Sequence, residues 1–116
     1  MRQTRRAGNL SFDDQLPENV SFGDVSIDFA NMELVRAGKE SRLTVTELNL
    51  LRYMLRHAGQ VVAREEILAS VWGYKEGRET RTLDAHVWKL RQKLESNPHR
   101  PVYLRTVQCV GYRLTV

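Results

Sequence analysis

The chain has 116 residues, 41% of them hydrophobic and 28% charged, with a net charge of +4. That length and balance describe one ordinary folded domain and argue against intrinsic disorder. No apolar run approaches the roughly 20 residues of a membrane helix, the basic start lacks the apolar stretch of a signal peptide, and the single Cys109 excludes an internal disulfide and suits a reducing cytoplasm.

The charge is unevenly placed. Residues 1–19 carry three basic against three acidic side chains, 20–77 seven against eight, and 78–116 eight against three. The positive field belongs to the C-terminal third, which points to an anionic partner, nucleic acid first.

In chain order, residues 1–19 are polar, contain Gly8 and Pro17, and show no sustained period. They read as a linker or disordered tail, leaving 20–116 as the domain. Val25, Ile27 and Phe29 alternate with Ser26 and Asp28, the mark of a half-buried strand. Asn31 and Met32 offer a turn, Glu33–Ala37 a strand, Gly38 and Lys39 a tight turn, and Ser41–Leu43 a last short strand. The result is a small antiparallel meander that needs helices packed on it.

Thr44 to Glu47 is a capping box, in which hydroxyl and carboxylate each satisfy an orphan amide. The helix it opens puts Leu48, Leu51, Met54 and Leu55 on one face and turns Arg52 and Arg56 away, with Gly59 suited to its stop. Val61 and Val62 form a brief extended piece. Arg64–Trp72 reads as a second helix with Ile67, Leu68, Val71 and Trp72 inward, and with Ala63 where a capping serine is expected. A polar segment with two glycines, 73–79, then leads to the third helix, Thr80–Glu95.

Leu83, Val87, Leu90 and Leu94 form the third helix's buried stripe. At about 100° per residue the opposite face collects Arg81, Ala85, Trp88, Lys89 and Gln92, with His86 and Arg91 on the flanks. Arg81 and Lys89 suit guanine edges or phosphates, Gln92 an adenine edge, and Ala85 a thymine methyl. Flank residues are better placed for phosphates. Such a stripe on an isolated helix is usually solvated surface. Trp88, a large aromatic on the polar face with no core role by periodicity, argues for more, although it also suits a protein contact. Asp84 fits the helix macrodipole and an ion pair with Arg81 or Arg91. His86 has no second ligand at metal spacing.

Val102–Val107 and Tyr112–Val116 read as a hairpin around Gln108 to Gly111, with Arg105, Thr106 and Arg113 available to phosphates. Here the chain resembles the C-terminal effector domain of OmpR/PhoB-type response regulators over about residues 20–116. The resemblance rests on Leu43 to Glu47, Val62 to Leu68, Val71-Trp72, Arg81 to Val87, Leu90 to Leu94, Thr106-Val107 and Gly111 to Arg113.

The resemblance implies an α+β winged helix-turn-helix: an N-terminal four-stranded antiparallel sheet, three helices and a C-terminal β-hairpin wing. It implies sequence-specific binding of double-stranded promoter DNA, commonly on direct repeats by two copies head-to-tail, in the bacterial cytoplasm at the nucleoid. By position, Arg81, His86, Trp88, Lys89 and Arg91 match recognition-helix contacts, and Thr106 a phosphate-contacting wing position. Gly73, Tyr74, Lys75, Glu76, Gly77, Arg78 and Glu79 match the loop that touches RNA polymerase. No cofactor, metal or membrane is implied. Residues 1–19 are too short to hold a receiver domain, so the chain is expected to be a dissected effector domain or an orphan regulator.

Two departures stand out. Val45 replaces a usual proline. Gln108 and Cys109 stand where the family often has arginine then glycine. Gln108 can still donate to A·T acceptors, but the salt slope should fall by about one phosphate equivalent. Cysteine for glycine costs about 1–2 kcal/mol if the turn needs a left-handed backbone.

An enzyme reading finds no Gly-rich phosphate loop, no nucleophile motif and no His/Cys cluster at metal spacing, since His57, His86, His99 and Cys109 are scattered. The competing reading is a winged helix that binds protein or RNA. Basic residues on both third helix and hairpin favour duplex DNA, whose adjacent grooves the two elements can straddle.

Overall fold

The computed structural model describes residues 18–73 and 80–116. The opening meander holds β1 (Asn19–Phe22), β2 (Val25–Asp28), β3 (Glu33–Arg36) and β4 (Lys39–Arg42), antiparallel and in chain order. Alternation marks β2 and the turn residues mark β3 and β4, whereas β1 comes only with the family resemblance; it is an edge strand whose Val20 and Phe22 are half-buried, so its pattern is weak. The β3–β4 turn falls one residue earlier than expected. Ala37 (φ +51) and Gly38 (φ +82) form it, and Lys39 opens β4 opposite Arg36. A two-residue hairpin wants positive φ at both central positions, which alanine tolerates at a cost of about 1–2 kcal/mol. Val25, Ile27, Phe29 and Leu34 point into one core shared with all three helices.

α1 (Val45–Arg56) starts at the foreseen capping box: Thr44 Oγ1 accepts from the Glu47 amide at 3.1 Å and Glu47 Oε1 from the Thr44 amide at 3.0 Å. Its buried surface is wider than the expected face. Leu50 and Tyr53 are buried beside Leu48, Leu51 and Met54, whereas Leu55 is only partly so. The reason is position: α1 touches α2, α3 and the last strand, so more than one stripe is covered. Gly59 (φ +84) follows the helix, and its amide donates to the Leu114 carbonyl at 2.8 Å.

β5 (Val62–Ala63), one residue later than expected, leads into α2 (Arg64–Trp72). No side chain caps α2 at Ala63. Ile67 and Leu68 are buried, Val71 and Trp72 only partly, and Gly73 (φ +76) closes the helix. α3 (Thr80–Leu94) ends one residue short of the expected Glu95. β6 (Leu104–Val107) and β7 (Gly111–Leu114) make the hairpin, and a second sheet runs β5-β7-β6. Both strands are shorter than expected. The amides of Val102 and Tyr103 donate to the Glu95 carboxylate instead of joining a ladder. Among the described residues, no helix is long and apolar enough to cross a membrane.

Candidate nucleic-acid interface

Leu83, Val87, Leu90 and Leu94 are almost fully buried, which fixes the rotation of α3. That rotation leaves Arg81, Ala85, Trp88, Lys89 and Gln92 exposed along the opposite face, as the periodicity predicts. His86 lies half-buried on one flank with its ring edge-on to Trp72 at 5.2 Å. Its Nδ1 lies 2.8 Å from the Thr82 carbonyl. A carbonyl can only accept, so in this hydrogen bond Nδ1 carries the proton and Nε2 is the nitrogen left for a ligand.

Arg91, on the other flank, is bolted to the hairpin. Its Nε donates to the Leu104 carbonyl and its Nη2 to Thr106 Oγ1, both at 2.8 Å. Burial pushes its pKa down, opposed by Tyr112, Glu95 and Asp84, yet an arginine stays charged at neutral pH. Thr106, accepting from Arg91, still has its hydroxyl proton to give.

The described partners of Asp84 are not those expected. Arg64 Nε donates to Asp84 Oδ1 at 3.1 Å, and the Tyr112 hydroxyl donates to the same oxygen. Arg64 is offered from the first turn of α2, and α2 packs beside α3, which brings it closer than sequence distance suggests. The Asp84 hydrogen bond raises the pKa of Arg64. Burial, then Asp84, pushes the Tyr112 hydroxyl up to about 12, so it remains a proton donor at any ordinary pH. The Tyr112 ring also lies beneath two guanidinium groups, Arg64 at 5.2 Å and Arg91 at 5.6 Å. One cluster thus joins α2, α3 and the hairpin.

On the hairpin, Arg105 and Arg113 are directly opposed across the strands, so their side chains share one face. Like charges so placed repel, and an anion between them relieves the repulsion. Thr106 pairs with Tyr112 and occupies the other face, with Arg91. The wing residues are therefore divided between two faces of the hairpin, although Arg105 and Thr106 both border the groove beside α3. Gln108 and Cys109 sit exposed at the tip, where the Val110 amide donates to the Val107 carbonyl at 3.0 Å. Cys109 has φ +66, the position a type II turn gives to glycine, so the conditional strain inferred from the sequence applies. Cys109→Gly is expected to stabilise the fold by about 1 kcal/mol in urea unfolding, and an unchanged midpoint would count against a strained turn.

Lys93 donates to Glu47 Oε1 at 2.6 Å and to the Arg42 carbonyl at 2.7 Å, anchoring the end of α3 to the start of α1. An open groove of about 490 Å³ runs between α3 and the hairpin, lined by Trp88, Arg91, Pro98, His99, Pro101, Arg105 and Thr106. Sequence reasoning gave no interface role to Arg64, Tyr112, Lys93 or Glu95, because their partners are distant in the chain. His99 had a local signal: it sits with Arg100 between two prolines just after a basic helix. Gly73 is described only as the cap of α2; Tyr74 to Glu79 lie outside the described residues. Among the described residues, no three His, Cys, Asp or Glu side chains group as a metal site.

A family model for the C-terminal part of transcriptional regulatory proteins matches residues 38–114. The chain is 39% identical over 101 residues to the DNA-binding response regulator MtrA of Mycobacterium tuberculosis, covering 87% of this chain and 44% of that protein. It is 35% identical over 101 residues to the alkaline phosphatase synthesis transcriptional regulatory protein PhoP of Bacillus subtilis, covering 87% and 42%. The chain thus spans less than half the length of these relatives. Among solved structures it is similar to the response regulator DrrB, a Thermotoga maritima OmpR/PhoB homolog, with a TM-score of 0.74, 30% identity, and 85% and 45% of the two chains covered. The Klebsiella pneumoniae RstA DNA-binding domain, solved in complex with the RstA box, gives 0.74, 28% identity, and 85% and 98%. The sheet, three helices and hairpin are those of a winged helix, and the chain belongs to the family of C-terminal domains of OmpR/PhoB-type transcriptional response regulators, which are regulators and not enzymes.

Proposed function

We propose that this domain binds double-stranded DNA sequence-specifically as the effector part of a two-component transcriptional regulator, with α3 in the major groove and the β6–β7 wing at the adjoining minor groove. The observation that carries this reading is the bolting of α3 to the wing through Arg91. It holds an exposed basic helix face and a basic hairpin in one fixed relation, as straddling two grooves requires. Arg81, Lys89, Gln92 and Ala85 face base edges. His86, Trp88, Arg91, Arg105, Thr106 and Arg113 serve phosphate and sugar, and Gln108 reaches the minor groove. The RstA domain, similar over nearly its whole length, was solved on its own DNA box, which supports the same mode here.

The physiological target in this reading is a direct repeat in promoter DNA, occupied by two copies head-to-tail in the bacterial cytoplasm at the nucleoid. Residues 73–79 meet RNA polymerase.

Selection from random duplexes at two salt concentrations tests the proposal. Enrichment of a short direct repeat, lost when Arg81→Ala and Lys89→Ala are combined, is the expected result. If four to six phosphates are neutralised, log K should fall by about four to five per decade of salt. Binding with a much shallower slope and no enriched sequence would favour a protein-binding winged helix instead.

A further inference from the structure

We propose that His99, which is not among the positions matched to the family above, is a DNA-contacting residue: its ring, held against Trp88, closes the groove between α3 and the wing around one backbone phosphate of the duplex. The inference rests on the DNA-binding reading above and adds to it a residue from the segment joining α3 to β6. The ring centroids of His99 and Trp88 lie 5.0 Å apart with planes at 58°. The His99 amide donates to Asn97 Oδ1 at 3.0 Å, and Pro98 and Pro101 bracket the residue. An exposed histidine is thereby presented at a defined place, with less side-chain freedom to lose on contact.

The groove has the chemistry of an anion site. Arg91 on α3 and Arg105 on β6 line it with His99, Arg100 follows in the chain, and no carboxylate is among the described residues that line it. Arg91 is committed by two of its N–H groups to Leu104 and Thr106, and Arg105 Nε to the Val102 carbonyl at 3.2 Å. Their charges thus stay beside the groove. Thr106 keeps a hydroxyl proton for an acceptor. A helix in one groove of DNA and a hairpin in the next have a strand of phosphodiester backbone between them, and this space lies between those two elements. Protonated His99 would add a charge-assisted hydrogen bond to that phosphate.

The test uses the whole chain and a short duplex of random sequence, because a phosphate contact is blind to sequence. Affinity and its salt slope are measured at about pH 5.5 and about pH 8, spanning the range in which histidine changes charge. The proteins are the native chain, His99→Gln and His99→Lys. The three proteins differ only at position 99, so the comparison isolates that residue. Lowering the pH should tighten binding by the native chain about three- to tenfold more than binding by His99→Gln. At low pH only, the native slope should be steeper by about 0.9, and His99→Lys should keep that slope at both pH values. Equal pH responses of the native chain and His99→Gln would overturn the proposal. So would an equal loss at both pH values with an unchanged slope, which is the signature of lost packing on Trp88. If the native chain binds no duplex even at low salt, the DNA reading itself fails and this proposal falls with it.

Discussion

Replacing Glu95 with alanine should lower the stability of the domain by about 3–4 kcal/mol and weaken DNA binding even where the fold survives. Glu95 is only 1% exposed, and its two carboxylate oxygens accept from the amides of Val102, Tyr103 and Leu104 at 2.7–3.2 Å. Alanine removes all of these acceptors. An unpaired buried amide costs about 1–3 kcal/mol, and Leu104 is the most deeply placed of the three. A carboxylate at the C-terminal end of a helix faces the wrong pole of the dipole, but that relief is worth only about 0.3–1 kcal/mol. Glu95→Gln should fall between, because its amide nitrogen turns a donor toward donors. The loss also reaches the interface, since Leu104 opens the strand whose carbonyl and threonine hold Arg91. Urea unfolding of the three proteins decides the matter, and a loss below about 1 kcal/mol for alanine would show that water replaces the carboxylate.

Gly111→Ala is the second large effect. A methyl group there would stand 1.9 Å from the Val62 carbonyl oxygen and 3.0 Å from the Ala63 Cα. Both are backbone atoms, so no rotamer change relieves the clash, and β7 must part from β5. The expected loss is about 3 kcal/mol, at the upper end of ordinary overpacking. Gly59→Ala is the control. It sits at φ +84 in open space, so only backbone strain applies and the cost should be about 1 kcal/mol. Similar unfolding midpoints for the two variants would mean that β5 moves aside freely and that closing the second sheet contributes little.

These two residues also show where the sequence stopped being legible. Gly111 stood in the motif that carried the family resemblance, yet nothing local said that its need is close approach rather than a left-handed turn. The left-handed turn residue two positions earlier is Cys109. The sequence pattern makes Glu95 the last residue of a helix. Its partners are seven to nine residues downstream, beyond any helical or strand period, so no periodic argument reaches them. The described partners of Asp84 lie out of reach for the same reason. Its charge invited a partner from its own helix, whereas Arg64 lies 20 residues away and Tyr112 28.

What the sequence determined by itself is what depends on neighbours in the chain. The capping box at Thr44, the limits of α2, the buried stripe of Leu83, Val87, Leu90 and Leu94, and the basic face opposite it all follow from periods and caps acting over a few residues. The tertiary structure alone decided which distant groups meet: the second buried side of α1, the Arg64–Asp84–Tyr112 cluster, the seat of Arg91 on the wing, and the groove that His99 closes. The physical division is one of range. Backbone geometry repeats its instructions every two to four residues, whereas a carboxylate or guanidinium finds its partner wherever packing brings it within about 3 Å.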